Sequence, residues 1–174
     1  MLSYTDARQK VIEVAGRLLG PLRRDTIEIE QAFGRILAKP VFADRDYPPF
    51  NRSTRDGFAV RAADVSAPGA RLECIGELRA GGVFEGTVAS GQCVEIMTGA
   101  SVPPSADAVA MIEHTQRDAR TITFDRAVKA GDHVVARGSE ARAGALLVAA
   151  RARIGYAEMA LAAQAGARAR WSLR

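Results

Sequence analysis

At Asp44 the chain changes its repeat. Before it, apolar residues recur at helical spacing. Beyond it, Pro48-Pro49, Pro103-Pro104 and many glycines cut the sequence into short β-like runs. Those runs are Gly57–Arg61, Leu72–Leu78, Cys93–Met97, Ala108–Glu113, Thr121–Phe124 and His133–Arg137. Runs this short, separated by turn residues and not by helical patterns, predict an antiparallel β domain over roughly residues 46–136 and argue against βαβ units. After Gly144 the first texture returns. Leu146-Leu147-Val148 predicts a short strand, and Tyr156 to Ala165 an alanine-rich helix closed by Gly166 at the C′ position. The expected fold is therefore α+β, with the β-rich domain (46–136) inserted into a small mixed α/β domain built from both chain ends (1–45 and 137–174).

The N-terminal end reads as a helix. Ser3 with Asp6 three residues on resembles a capping box. Ala7, Val11, Val14, Ala15 and Leu18 then fall on one helical face, and Gly20-Pro21 stops the element. The alternation Thr26-Ile27-Glu28-Ile29-Glu30 predicts a strand. Gln31 to Ala38 predicts two turns of helix that end before Pro40.

Composition narrows the function classes. With 48% hydrophobic and 25% charged residues, the chain is of globular type. No apolar run approaches the roughly 18–20 residues of a membrane span, and Met1 to Asp6 lacks a basic, then apolar, leader pattern. The expectation is a cytoplasmic protein without a membrane partner. The net charge of +4 resides in the last segment, where Arg151, Arg153, Arg168, Arg170 and Arg174 face one acid, Glu158. Removing these from the totals of 24 basic and 20 acidic residues leaves positions 1–150 neutral. Only Tyr156 and Trp171 accompany those arginines and no recognition motif is present, so no nucleic-acid partner is expected. Cys74 and Cys93 are too few and too far apart for a disulfide scaffold or a CxxC metal site, and read as buried small hydrophobes.

Three polar clusters can carry chemistry. In Asp46-Tyr47-Pro48-Pro49-Phe50-Asn51-Arg52-Ser53-Thr54-Arg55-Asp56-Gly57, the prolines stiffen the entry and an Asp-Gly step precedes a strand. Such a carboxylate can sit where a ligand approaches the backbone, with Arg52 and Arg55 favouring its ionised form. It can equally be a turn that bonds its own backbone. In Glu95-Ile96-Met97-Thr98-Gly99-Ala100-Ser101, a strand ends in small residues whose N–H groups can form an anion nest beside a hydroxyl, or merely a strand-to-loop turn. The third, Arg137-Gly138-Ser139-Glu140, is a charged turn that can set Arg137 beside Glu140, or a solvated connection. Glu113-His114 and Asp132-His133 are poor ligand pairs, because adjacent strand residues point to opposite faces. No zinc spacing, phosphate loop or nucleophile elbow occurs.

The order and wording of the clusters say more than any one of them. Ala32-Phe33-Gly34-Arg35-Ile36-Leu37-Ala38 comes first. Next comes Asp46-x-Pro48-Pro49-Phe50-Asn51-x-Ser53-x-x-Asp56-Gly57-Phe58-Ala59-Val60-Arg61, and then Ile96-Met97-Thr98-Gly99-Ala100 and Ala106-Asp107-Ala108-Val109. Arg137-Gly138-x-Glu140-x-Arg142-Ala143-Gly144 completes the series. Together they resemble the N-terminal half, domains I and II, of the molybdopterin molybdenumtransferases (the MoeA and gephyrin E-domain family).

The resemblance implies a fold with the family's complex antiparallel β domain. It also implies an activity: insertion of molybdenum, from molybdate, into adenylylated molybdopterin, with release of AMP and magnesium assisting. It implies homodimers through a linker and dimerisation domain, with a cleft between the β domain of one subunit and the third domain of the other. Carried onto matching positions, it implies Asp56, Thr98 and Glu140 as catalytic residues. Asn51, Ser53, Gly99 and Arg137 become substrate-binding residues, and Asp56 a magnesium ligand. The chain departs from the family at Ser139-Glu140, where Glu-Asp is usual, and at Arg55, where an apolar residue is usual. The third domain, opened by a T-G-D-E-L-type motif, has no counterpart before Arg174. The resemblance therefore implies an N-terminal portion inactive without that domain, or alternatively a naturally short, stand-alone binding or dimerisation module.

Overall fold

The computed structural model describes residues 2–19 and 25–166. The expected helix stop at Gly20-Pro21 and the arginines at 168, 170 and 174 lie outside them. Contacts divide the chain into two compact units, one from Met1–Asp44 with Gly144–Arg174 and the other Arg45–Ala143.

In the unit of the chain ends, helix α1 spans Tyr4–Leu19. Ser3 Oγ accepts the Asp6 amide at 3.2 Å and donates to its carboxylate at 2.7 Å, so the cap forms as its sequence implies. Asp6 in the first turn and Arg17 in the last complement the helix dipole. The segment after it departs from expectation twice. Thr26 to Glu30 is not a strand but leads into a 3-10 turn at Ile29–Gln31. Gln31 to Ala38 is not helical past that turn, because its backbone bonds leave the segment. Gly34 N donates to Ile154 O and Leu37 N to Ala152 O, while Arg151 N and Ile154 N return bonds to Leu37 O and Arg35 O. Gly34, at φ +76°, makes the turn into this extended path. Strand β1 (Val41–Phe42) pairs antiparallel with β10 (Leu146–Val148). Helix α2 (Tyr156–Gln164) closes the unit, with the Glu158 carboxylate on the Gly155 amide at 2.8 Å and Gly166 at φ +62° beyond its end. Leu37, Val41, Val148, Ile154 and Ala162 form its core.

The second unit holds β2 (Arg52–Ser53), β3 (Gly57–Val60), β4 (Arg71–Leu78), β5 (Gln92–Ile96) and β6 (Ala108–Met111). It continues with β7 (Thr115–Asp118), β8 (Thr121–Phe124) and β9 (Val134–Val135). Six of these strands form one sheet in the order β6-β3-β5-β4-β8-β7, and β2 pairs with β9 apart from it. The sheet is antiparallel except between β4 and β5, which run parallel. That pairing escaped the sequence reading because its connection, Arg79 to Gly91, carries no helix. Strand β7 was also missed: Thr115-Gln116-Arg117-Asp118 is an exposed edge with no apolar alternation to betray it.

Strand β3 is buried along its whole length. Phe58 and Val60 face one apolar cluster, where Phe58 meets Phe124 edge to face with ring centres 6.1 Å apart. Ala59 faces another, with Leu78, Val94, Ile96 and Val109. A strand covered on both faces reads as a continuous apolar run, as Gly57–Val60 does.

Residues 137–143, expected with the chain ends, fall in the second unit. Tyr47 and Ala141 exchange backbone bonds at 2.7 and 3.1 Å, Gly138 N reaches Pro48 O, and Asp46 accepts the Ala143 amide at 3.0 Å. Among the described residues, no helix is long and apolar enough to cross a membrane.

Candidate functional site

The site is built where β3 begins and β5 ends. Gly57 and Ile96 are register partners across the antiparallel β3–β5 pair, so the residues just outside them converge. Asp56 precedes Gly57 and Thr98 follows Ile96 by two. Although 42 positions apart, they meet: one carboxylate oxygen of Asp56, Oδ1, accepts the Thr98 amide at 2.6 Å and its hydroxyl at 2.7 Å. Both residues are exposed. The second oxygen, Oδ2, takes no hydrogen bond among the described residues and is open to a ligand.

Two local devices hold Asp56 there. Gly57 lies against β6 so closely that a Cβ on it would stand 1.9 Å from the Ala110 carbonyl oxygen, so only glycine fits. Ser53 forms the other. It is 1% exposed, accepts the Arg55 amide at 3.2 Å and donates to the Arg55 carbonyl at 2.6 Å. Its hydroxyl is spent inside the turn, so the expected substrate-binding serine acts by shaping the loop that delivers Asp56.

The expected anion nest is not available. Gly99 N donates to Ser53 O, Ala100 N to Met97 O, and Thr98 N to Asp56. Gly99, at φ +85°, turns the chain so that these amides bond the protein itself.

The Asp56 carboxyl titrates below the ordinary 3.8 of an aspartate, chiefly because of the Thr98 amide and then its hydroxyl. The neighbouring arginines expected to do this are engaged elsewhere. The Arg55 guanidinium bonds the Thr54 carbonyl, and Arg52 pairs with Glu140 at 3.4 Å.

The third cluster is parted differently from its sequence pattern. Arg137 does not pair with Glu140; its Nε donates to Asp46 at 2.8 Å, and its amide donates to Asn51 Oδ1 at 2.9 Å. Asn51 thereby fixes the turn with its side-chain oxygen. Asp46, overlooked as a functional candidate, anchors it with one oxygen on Arg137 and the other on the Ala143 amide, and its carboxyl is held below the usual range by both. The signal for Asp46 was its place at the head of the Pro-Pro string, opposite in charge to the later arginine. Segment 51–53 ties the clusters together. Val102 N bonds Asn51 O on one side, while Arg52 and Ser53 register with Val135 and Val134 on the other. The guanidinium of Arg137 remains largely exposed, with donors left for an anion.

The histidine doublets are not strand pairs. Ile112–His114 is a 3-10 turn, and His133 sits at φ +56°. Among the described residues no three His, Cys, Asp or Glu side chains are grouped to hold a metal.

Residues 2–166 match the family described as the MoeA N-terminal region (domain I and II). The chain is similar to a molybdopterin molybdenumtransferase of Bacillus subtilis, 36% identical over 148 residues, covering 80% of this chain and 34% of that protein. A namesake from Nostoc is 31% identical over 167 residues, covering 94% and 38% respectively. A crystal structure titled as a molybdopterin biosynthesis MoeA protein from Pyrococcus horikoshii superposes with a TM-score of 0.80 at 33% identity, covering 93% of this chain and 42% of that one. The chain spans roughly a third of the length of the curated relatives it matches, 34% in the Bacillus case.

Proposed function

Because the chain belongs to the family of MoeA N-terminal regions (domains I and II), we propose that it supplies one wall of a cleft in which molybdate is inserted into adenylylated molybdopterin. The observation that carries the reading is the convergence of Asp56 and Thr98 on an exposed rim. Asn51, Ser53 and Gly57 of the same strings serve packing and turns; Asp56 and Thr98 instead hold an exposed carboxylate in one orientation.

The chemistry follows from that carboxylate. With its acidity raised by Thr98, Asp56 is a fixed anion at neutral pH and not a proton donor. It acts as an acceptor toward N–H or O–H groups of the pterin substrate, presenting Oδ2 while Thr98 holds Oδ1. Arg137, with one edge on Asp46, offers its remaining donors to the anionic parts of the substrates, and Glu140 orients Arg52. In place of its contact with the pterin, Asp56 Oδ2 is a single hard oxygen that would hold magnesium weakly, since no three acidic or histidine side chains group there among the described residues. Magnesium held by Asp56 would supply positive charge against phosphate oxygens.

One wall is not a catalytic site. Positioning contributes roughly 7–11 kcal/mol of barrier lowering only when the reactants are held from all sides. The test is AMP release from adenylylated molybdopterin with molybdate and magnesium. The chain alone should release none above background, and adding the separately expressed remainder of a full-length relative should restore turnover. Turnover by the chain alone at a full-length relative's rate would contradict the proposal.

A homodimer is the second part of the reading. Helix α1 carries Val11 at 68% and Leu18 at 82% exposure on its apolar stripe. An amphipathic helix with that stripe in water lacks the burial that stabilises it, and a second copy supplies an identical stripe.

A further inference from the structure

Cys74 on β4 and Cys93 on β5 are the chain's two cysteines, and both are free thiols. Distant in sequence, they become register partners in the parallel β4–β5 pair. Partners in register project to the same face, and both pack on the cluster of Phe58, Ile122 and Phe124. Neighbouring strands lie about 4.8 Å apart, inside the roughly 4.4–6.8 Å between Cα atoms that a disulfide needs.

The two thiols differ in reach. Cys93 is fully buried, and its thiol is pushed up to about 12, by burial first and by the adjacent Cys74 next. Cys74 is partly exposed and lines a surface pocket with Glu77, Glu95, Arg117 and Arg120. The Arg117 guanidinium donates to its sulfur at 3.5 Å and is itself fixed by Glu95 and the Phe58 ring. Cys74 is the thiol that an oxidant can reach, and the buried thiol alongside it is placed to resolve the product.

We propose that Cys74 and Cys93 form a peroxide-sensitive pair that closes to an intramolecular disulfide. The Cys74 sulfur attacks one oxygen of hydrogen peroxide; the O–O bond breaks, water leaves, and Cys74 becomes a sulfenic acid. The Cys93 sulfur then displaces that hydroxyl, forming the S–S bond, and its proton leaves with the hydroxyl as a second water. Two thiols are oxidised and one peroxide is reduced to two waters. Proximity in the sheet offsets the weak nucleophilicity of a protonated thiol. The bond staples β4 to the strand whose end presents Thr98.

The test treats the 174-residue chain with hydrogen peroxide, then alkylates it after denaturation and weighs and maps it. The expected result is loss of both alkylatable thiols, a mass lower by two hydrogens, a Cys74–Cys93 linked peptide, and full reversal by dithiothreitol. In Cys74→Ser, Cys93 should stay alkylatable under the same dose. Wild-type protein that keeps both thiols, carries a sulfinic acid on Cys74 beside free Cys93, or links between chains would overturn the proposal. These wild-type readouts stand whether or not the variant folds.

Discussion

Thr98 places two donors, its amide and its hydroxyl, on the same oxygen of Asp56, at 2.6 and 2.7 Å. The pair thus fixes the carboxylate while leaving its other oxygen unspent. Thr98→Val keeps the amide and removes the hydroxyl, so the Asp56 carboxyl should titrate higher than in the wild type, and Thr98→Ser should restore it. An NMR titration of Asp56 reads this directly. An unchanged titration in Thr98→Val would mean that the hydroxyl bond does not form in solution.

Gly57 makes a sharper steric claim. The atom that a Cβ would strike, at 1.9 Å, is the backbone oxygen of Ala110, which cannot swing aside as a side chain can. Gly57→Ala should destabilise by at least about 2 kcal/mol, the range of core overpacking. Gly16→Ala, inside α1 with nothing within 4 Å, should instead stabilise by about 0.5–1 kcal/mol. Urea denaturation of both variants checks the pair, and equal small effects would refute the close approach of β3 and β6.

Acid sensitivity follows from Asp46 and Asp56. Both titrate below the ordinary 3.8, Asp46 through the Ala143 amide and then Arg137, Asp56 through Thr98. A carboxyl lowered by folding contributes stability that is fully present above its unfolded value and is lost as pH falls through its folded value. The urea midpoint should therefore hold above about pH 5 and fall progressively below the unfolded value. Asp46→Asn should show a shallower acid limb. A variant whose limb matches the wild type would remove Asp46 from the account.

Much of this was legible in the chain, for reasons that differ by element. The cap at Ser3-Asp6, the closing Gly166 and the apolar run of β3 are local signals, and each appears where its residues put it. The family resemblance named Asp56 and Thr98 together, which periodicity could not have done. What escaped was decided at long range. Segment 34–37 reads as helix but is claimed by hydrogen bonds from 151–154. The anion nest at Thr98-Gly99-Ala100 has the right composition, yet Asp56, Ser53 and Met97 take its amides. Arg137 sits three residues from Glu140 but bonds Asp46, 91 positions away.

The apolar stripe of α1 predicts concentration-dependent self-association. Light scattering after size exclusion should show dimers of the chain, and Val11→Glu with Leu18→Glu should return monomers with unchanged circular dichroism. Wild-type monomers at every concentration would remove the dimer from the reading.

The central claim is that the charge of Asp56 serves chemistry far more than it serves the fold, and one substitution tests it. In Asp56→Asn the amide oxygen can still accept both Thr98 donors, so the melting temperature should move by no more than about 3 °C. Combined with the remainder of a full-length relative, the same variant should release AMP at least about 100-fold more slowly than the wild-type chain, the scale of a lost electrostatic contact in an active site. A variant that melts with the wild type and turns over at its rate would contradict the claim, and so would one that fails to fold.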